Sequence, residues 1–220
     1  AEKHGLYVIE DAAQAMGSKY NDKMICTIGD IGCISFYPSK NLGAFGDGGM
    51  LTTNDEKLAE KIRMIISHGS KKKYYHETLG VNSRLDSIQA AILDIKLKYL
   101  DEYCEARYNA AMKYNEKFKG IFETPYIMPG VKHIFHQYSI RVKNRDKMME
   151  FLKSNGIPSM IYYPVPLHMQ EAYKYDYKPG NYPVSEEIAE DIISLPMHTE
   201  LTDEEIDFIS SNVIEFNSIQ

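Results

Sequence analysis

The 220-residue sequence lacks tryptophan, has only three cysteines and contains no long hydrophobic run. Its apolar stretches are as short as the four residues from Leu6 to Ile9, whereas about 20 are needed to cross a bilayer. Cys26, Cys33 and Cys104 form an odd, scattered set, which argues against a disulfide framework and favours a reducing compartment. These absences predict a soluble cytoplasmic protein.

An excess of positive charge is also missing, with 25 Lys and Arg against 31 Asp and Glu and a formal net charge of -6. This balance argues against a nucleic-acid partner, and the short apolar runs argue against a membrane partner. No metal centre is expected either. His133 and His136 have a metal-like spacing, but no neighbouring Cys or His completes a ligand set.

The chain does not begin with methionine. Residues 1–4 followed by Gly5 have the composition of a helix end with a glycine stop, and a strand-like run begins at once at residue 6. Because a domain rarely begins in the last turn of a helix, we expect the chain to be truncated at its N-terminus.

The pattern along the first half predicts an α/β fold. Residues 6–10, 31–37 and 49–53 are short, nearly continuous apolar runs, typical of strands buried on both faces. Asn54 is placed to cap a helix that runs to His68. Neither Gly nor Pro occurs between Gly80 and Gly120, which predicts one long helix with a break near residues 104–107.

Such a helix commonly bridges two domains, and we place the first domain at 1–105 and the second at 106–220. In the second domain the pattern predicts β-α-β and two closing helices. Thr202 and Glu205 are spaced as a capping box for the last helix. The predicted elements are strand 133–142, helix 145–155, strand 157–163, loop 164–183, helix 185–194 and helix 203–216.

Polar groups follow two of the predicted strands. Asp11 ends the first strand, Lys40 follows the second by one tight turn, and the glycine-rich stretch 43–49 comes next. The carboxyl ends of strands are where α/β sheets bind ligands. A desolvated lysine attacks an aldehyde as a neutral amine, and a buried carboxylate pairs with a protonated pyridine. The spacing alone leaves open a capping Asp and a solvated Lys.

Five segments at and beyond these residues are more specific. They read VIEDAAQA at 8–15, SFYPSKNLG at 35–43, GDGG at 46–49, GVNSRLD at 80–86 and YYPVPLH at 162–168. Together, in this order, they resemble the active-site segments of the DegT/DnrJ/EryC1/StrS family, whose members mostly aminate nucleotide-linked keto sugars. The resemblance implies a fold-type-I transferase dependent on pyridoxal 5′-phosphate (PLP), with part of the large-domain sheet and a C-terminal α+β small domain.

The resemblance also implies roles for the cofactor residues. Lys40 would hold PLP as a Schiff base and then carry a proton. Asp11 would pair with the pyridine nitrogen, Gln14 would lie by the phenolic oxygen, and Ser35 would bind the phosphate. Asn82 would reach the phosphate in a neighbouring subunit, because family active sites form at a homodimer interface.

The substrate side is implied in the same way. His168, Tyr163 and Tyr37 would line the sugar-nucleotide site, and glutamate would be the amino donor in a ping-pong reaction. Asp47, where family members acting on 4-keto sugars more often carry Glu, favours a 3-keto sugar. Two alternatives stay open: a PLP-dependent sugar dehydratase, against which the lysine at position 40 argues, and a truncated, non-catalytic family member.

Overall fold

The structure is a computed structural model and describes residues 1–218. The chain forms two compact units. The first comprises Ala1–Glu105 and Ile127–His136, and the second comprises Ala106–Tyr126 and Gln137–Gln220. The domain boundary between residues 105 and 106 stays a prediction.

The chain contains both helices and strands, which makes the protein a mixed α/β protein. The strands are β1 (Ile9–Asp11), β2 (Lys19–Tyr20), β3 (Lys23–Met24), β4 (Ile31–Ser35), β5 (Gly49–Thr52), β6 (Ser70–Lys72), β7 (Tyr75–His76), β8 (Val131–Lys132), β9 (Tyr138–Arg141) and β10 (Ile192–Leu195). The helices are α1 (Glu56–Ile66), α2 (Ser87–Leu97), α3 (Leu100–Phe118), α4 (Arg145–Ser154), α5 (Pro183–Asp191) and α6 (Asp203–Ser218). Within residues 1–218 no helix is both long and apolar enough to cross a membrane.

The main sheet of the first unit has the strand order β1-β4-β5. β1 runs parallel to β4, and β4 runs antiparallel to β5. The prediction that these strands are buried on both faces is wrong for β1, where Ile9 is 65% exposed. It is also wrong for β5, where Met50 and Leu51 are exposed. Of the three strands, only β4 places an apolar side chain, that of Ile34, in the core.

The predicted cap of the first helix is wrong by one residue. Asp55, not Asn54, is the N-cap of α1, and its carboxylate accepts the backbone N–H groups of Lys57 and Leu58. Its Oδ1 lies 2.8 Å and 3.1 Å from those two nitrogens. Both residue types are good caps, so the local pattern did not discriminate between them.

The predicted long helix is two helices, and the predicted break is wrong. α2 ends at Leu97 and α3 begins at Leu100, while Cys104 lies inside α3. The buried side chains of Leu93, Leu100 and Cys104 belong to one core cluster of the first unit. The break between α2 and α3 lets both helices turn apolar residues into that cluster, and no glycine or proline is required for it.

The second unit is built on an antiparallel pair, β9 and β10, with Ile140 opposite Ile193 and Tyr138 opposite Leu195. The predicted helix 185–194 is therefore wrong at its end: α5 stops at Asp191, and residues 192–195 form β10. Burial decides this, because Ile193, Ser194 and Leu195 are all buried in the pair.

The other predictions for the second unit fared unevenly. The helix predicted at 145–155 is α4, and the predicted capping box of α6 is confirmed by hydrogen bonds of 2.9 Å and 3.2 Å between Thr202 and Glu205. The predicted strand 133–142 is shorter in the structure, where it corresponds to β9. The predicted strand 157–163 forms only an isolated bridge between Met160 and Ser194. The predicted loop 164–183 contains two short 3-10 helices and the first residue of α5.

A stack of aromatic rings forms the core of the second unit. The Tyr114 ring stacks on both Phe118 and Tyr138, with ring centroids 5.8 Å and 4.8 Å away. The two hydroxyl groups donate to the Pro196 carbonyl and to the Asn115 side chain. Burial raises the pKa of both tyrosines, so each ring stays neutral and each hydroxyl stays a donor.

Candidate active site

Two of the predicted cofactor residues end adjacent parallel strands. Asp11 is the last residue of β1 and lies opposite Cys33, and Ser35 is the last residue of β4. Because β1 and β4 run in the same direction, both side chains lie at one edge of the sheet. The Ser35 hydroxyl accepts the Tyr37 amide at 3.3 Å, which leaves its own proton free to be donated.

Lys40 lies in a closed loop that starts at this same edge. Its backbone N–H donates to the Tyr37 carbonyl at 2.9 Å, and the Ala44 amide donates to the Phe36 carbonyl at 2.8 Å. Gly43 lies so close to the Pro38 carbonyl that any Cβ there would overlap it. The loop therefore has a fixed shape, and it presents a half-buried lysine directly after the strand that carries Ser35.

Helix α2 supports this lysine loop through two side chains that sequence reasoning missed. The Gln89 side-chain oxygen accepts the Phe45 amide at 2.8 Å, and Lys96 Nζ donates to the Gly43 carbonyl at 2.6 Å. Lys96 Nζ also lies 5.4 Å from the centre of the Phe45 ring. These contacts join positions more than 40 residues apart, so no local pattern in the sequence signals them.

A third missed residue is Glu10, which precedes Asp11 in β1. Its carboxylate accepts the amides of Cys26 at 2.7 Å, Ile28 at 2.9 Å and Gly29 at 2.7 Å. Burial raises the pKa of Glu10, but the three amide hydrogen bonds outweigh burial, and the net pKa lies below its ordinary value. The charged carboxylate thus holds residues 26–29 against the strand that ends in Asp11.

The remaining predicted residues of the first unit lie apart from the lysine loop or at its surface. Gln14 is exposed in the turn after β1, and Tyr37 is exposed at the start of the loop. Asn82 pairs with Ser67 through an isolated bridge. It also lines a cavity of about 1000 Å³, together with Asp47 and Arg84.

In the second unit the structure brings the predicted substrate residues together. Tyr163 and His168 line one cavity of about 880 Å³, whose wall also includes four further tyrosines, Tyr162, Tyr173, Tyr177 and Tyr182. Most of this lining is aromatic or aliphatic, with few polar groups, as is typical of small-molecule sites.

His168 is 8% exposed and is held by a carboxylate that sequence reasoning missed. Its Nε2 lies 2.8 Å from Glu186 Oε1, and its ring meets the Tyr182 ring edge-on at 4.8 Å. Glu186 also accepts the amides of Gly180 and Tyr182. The Gly180 amide, then the His168 hydrogen bond, hold the pKa of Glu186 below its ordinary value. Through these hydrogen bonds Glu186 links Gly180 and Tyr182 to His168.

Comparison with known proteins decides the family. The family model described as "DegT/DnrJ/EryC1/StrS aminotransferase family" matches residues 1–214. The chain belongs to the DegT/DnrJ/EryC1/StrS aminotransferase family.

Two curated relatives show what this DegT/DnrJ/EryC1/StrS chain is similar to. It is 49% identical over 221 aligned positions to the "Pleiotropic regulatory protein" of Geobacillus stearothermophilus, covering 98% of this chain and 59% of the relative. It is 46% identical over 207 positions to the UDP-N-acetyl-3-dehydro-alpha-D-glucosamine 3-aminotransferase of Acidithiobacillus ferrooxidans, covering 94% and 56%. The chain thus spans less than two thirds of the length of these relatives. Further curated relatives are also nucleotide-sugar 3-aminotransferases.

A solved structure confirms the fold. The chain superimposes with a TM-score of 0.95 and 39% identity on S. venezuelae DesV in complex with a ketimine intermediate, covering 99% of this chain and 59% of DesV. The predicted fold-type-I transferase fold is confirmed by this similarity.

The DegT/DnrJ/EryC1/StrS family belongs to the PLP-dependent aminotransferases, and the residues at the sheet edge fit that cofactor. PLP offers an aldehyde, a basic pyridine nitrogen and a phosphate, which call for an amine, a carboxylate and a hydroxyl donor. Lys40, Asp11 and Ser35 supply these three groups, and the free proton of Ser35 suits a phosphate oxygen. Within residues 1–218 no group of three or more His, Cys, Asp and Glu side chains is arranged to hold a metal ion.

Proposed function

We propose that the protein carrying this chain transfers an amino group to a nucleotide-linked keto sugar in a PLP-dependent reaction. One observation carries the proposal. In a chain of this family, Asp11 and Ser35 end adjacent parallel strands at one sheet edge, and the closed loop that presents Lys40 starts there. An aminotransferase needs these three groups in one place.

Each of these residues has a role that follows from its chemistry. When bound, PLP supplies an electron sink for the carbon next to the transferred nitrogen. Asp11 holds a proton on the pyridine nitrogen by its charge, and Ser35 donates to the phosphate. Lys40 binds the cofactor through Nζ and, once released, moves a proton at that atom. Gln14 is assigned to the phenolic oxygen.

The substrate is a 3-keto sugar in this proposal, and the donor is glutamate. The names of the relatives and Asp47 in the glycine-rich stretch support the 3-position. Tyr163, His168 and Tyr37 are assigned to the sugar nucleotide, and the cavity shared by Tyr163 and His168 supports a binding role for them. Asn82 is assigned to the cofactor phosphate of a second subunit, so the active form is a homodimer.

The direct test is borohydride trapping in the full protein that carries this chain. After addition of PLP and reduction, peptide mass spectrometry is expected to find the pyridoxyl group on Lys40, and Lys40→Ala is expected to abolish both the adduct and amino transfer. Lys57→Ala, at an exposed lysine of α1, serves as the matched control and is expected to change neither.

The substrate is tested by supplying glutamate with UDP- or dTDP-linked 3-keto and 4-keto sugars to the same protein. We expect amination of a 3-keto sugar and conversion of glutamate to its keto acid. A pyridoxyl group on any lysine other than Lys40, or none in a folded sample, contradicts the proposal; loss of water from the sugar without amino transfer would indicate a dehydratase.

A further inference from the structure

The hairpin formed by β6 and β7 carries a cluster of charge that the proposed active site does not use. Its strands pair Ser70 with His76 and Lys72 with Tyr75 around a bulge. The Lys-Tyr tip, defined as residues 71–75, reads Lys-Lys-Lys-Tyr-Tyr, and all five side chains are exposed. On a chain with a net charge of -6, three consecutive lysines form a local positive site.

The three ammonium groups of this tip form no ion pair with a carboxylate of residues 1–218. Among the ion pairs found within residues 1–218, none involves Lys71, Lys72 or Lys73. Adjacent like charges repel one another, so an anion placed at the tip lowers the electrostatic free energy of the hairpin. A ligand that carries several negative charges matches this site best.

Two tyrosine rings stand among the lysines. Lys72 Nζ lies 4.9 Å from the centre of the Tyr75 ring, and Lys73 Nζ lies 5.0 Å from that of the Tyr74 ring. Tyr74 remains 80% exposed and Tyr75 63% exposed, so each ring keeps a large surface for another planar group. Basic groups interleaved with exposed aromatic rings are the elements that bind a phosphate and stack on a base.

The base of the hairpin is rigid. The amides of Glu77 and Thr78 both donate to the Gly69 carbonyl, at 2.8 Å and 3.2 Å. Gly69 has a φ of +73°, and a Cβ there would overlap the Thr78 carbonyl, so only glycine fits. His76 Nδ1 lies 2.8 Å from the His68 carbonyl. The tip is therefore presented from a fixed root.

The same root carries Asn82, the residue assigned to the cofactor phosphate. The His68 amide donates to the Val81 carbonyl at 2.9 Å, and Ser67 pairs with Asn82. Because the same hairpin base holds Asn82 and the Lys-Tyr tip, any cofactor that Asn82 contacts has the tip as a neighbour. In a nucleotide-linked sugar the diphosphate and base extend away from the reacting carbon, which makes an exposed neighbouring tip a suitable place to bind them.

We propose that the Lys-Tyr tip binds the nucleoside diphosphate part of the substrate, with the lysines on the phosphates and a tyrosine ring against the base. The inference rests on the proposed function for the identity of the ligand as a nucleotide-linked sugar. It adds a site that neither the sequence segments of the family resemblance nor the sheet-edge residues include.

The test measures binding of UDP and dTDP to the full protein by calorimetry, without any turnover. Lys72→Glu/Lys73→Glu is expected to weaken binding about tenfold or more. The affinity that remains is expected to depend less on salt concentration than that of the parent protein. Tyr74→Leu/Tyr75→Leu is expected to weaken UDP and dTDP about fivefold or more while leaving inorganic pyrophosphate unchanged. Lys57→Glu/Lys61→Glu on α1 places the same charge change elsewhere on the first unit and is expected to leave all three affinities unchanged.

The outcomes separate this inference from the proposed function. If the tip variants bind UDP and dTDP as tightly as the parent, or if the α1 control weakens binding equally, the inference is overturned. Failure of the parent protein to bind either nucleotide also overturns it. If Lys40 does not take up PLP but the tip variants still lose UDP binding, the proposed function fails and the Lys-Tyr tip stands. The double variant Lys72→Gln/Lys73→Gln repeats the test without introducing negative charge.

Discussion

The apolar run that enters β1 and the strand β10 have similar compositions and opposite surroundings. The run that leads into β1 is Leu-Tyr-Val-Ile, and β10 is Ile-Ile-Ser-Leu. In β1 of the first unit Ile9 is 65% exposed, whereas in β10 of the second unit Ile193 is 0% exposed. Apolar composition favours a strand in both places, but it does not decide whether that strand is covered.

The two strands also differ in what they hold. β10 is fixed by side-chain packing, with Ile193 opposite Ile140 and the aromatic stack nearby in the same unit. The end of β1 is fixed by polar contacts instead, since Glu10 accepts three backbone amides. The end of β1 is therefore held by hydrogen bonds to a charged carboxylate, and β10 by burial.

The largest effect is expected from truncating matched isoleucines in these two strands. Ile193→Ala removes a fully buried side chain and should lower the free energy of unfolding by about 2–5 kcal/mol. Ile9→Ala removes an exposed side chain and should cost less than about 1 kcal/mol. Urea denaturation followed by circular dichroism measures both. Equal losses for the two variants would show that β1 is covered as well as β10.

A smaller effect is expected at the helix caps. Asp55→Ala at α1 in the first unit and Thr202→Ala at α6 in the second should each lower stability by about 1 kcal/mol, because each side chain accepts backbone amides of the first turn. Asn54→Ala is the matched control and should be nearly neutral. A loss at Asn54 as large as at Asp55 would restore the cap predicted from sequence.

The caps also show how far the sequence alone reaches. Thr202 and Glu205 were predicted correctly because a capping box has two members at a fixed spacing. The cap of α1 was misplaced because Asn54 and Asp55 are both good caps, and only the hydrogen bonds separate them. Likewise the end of α5 was missed, because cross-strand pairing with β9, not local propensity, makes residues 192–195 a strand.

The candidate site divides in the same way. Local pattern placed Asp11 at the end of one strand and Lys40 in the turn after the next, whereas Ser35 and the roles of all three residues came from the family resemblance. Gln89 and Glu186 could not be predicted from sequence. Each acts through a contact with a distant segment or with backbone amides, and a polar residue at either position does not by itself indicate that such a contact forms. The residues proposed to do chemistry carry a sequence signature, and the residues that position them do not.

The smallest effect, and the one that sharpens the comparison most, is the acid dependence of stability. Glu10 and Glu186 each have a pKa below the ordinary value of 4.5, so each carboxylate stabilises the fold fully above its unfolded pKa. That stabilisation is lost as the pH falls from about 4.5 through the lower folded pKa. Glu10→Gln and Glu186→Gln should therefore destabilise the protein at about pH 7 and flatten the fall in urea midpoint between about pH 5 and about pH 3. Glu60→Gln, at an exposed glutamate of α1, should leave the curve unchanged. If Glu10→Gln follows the control while Glu186→Gln does not, the polar contacts at β1 are not what holds the sheet edge, and the contrast between the two regions would have to rest on burial alone.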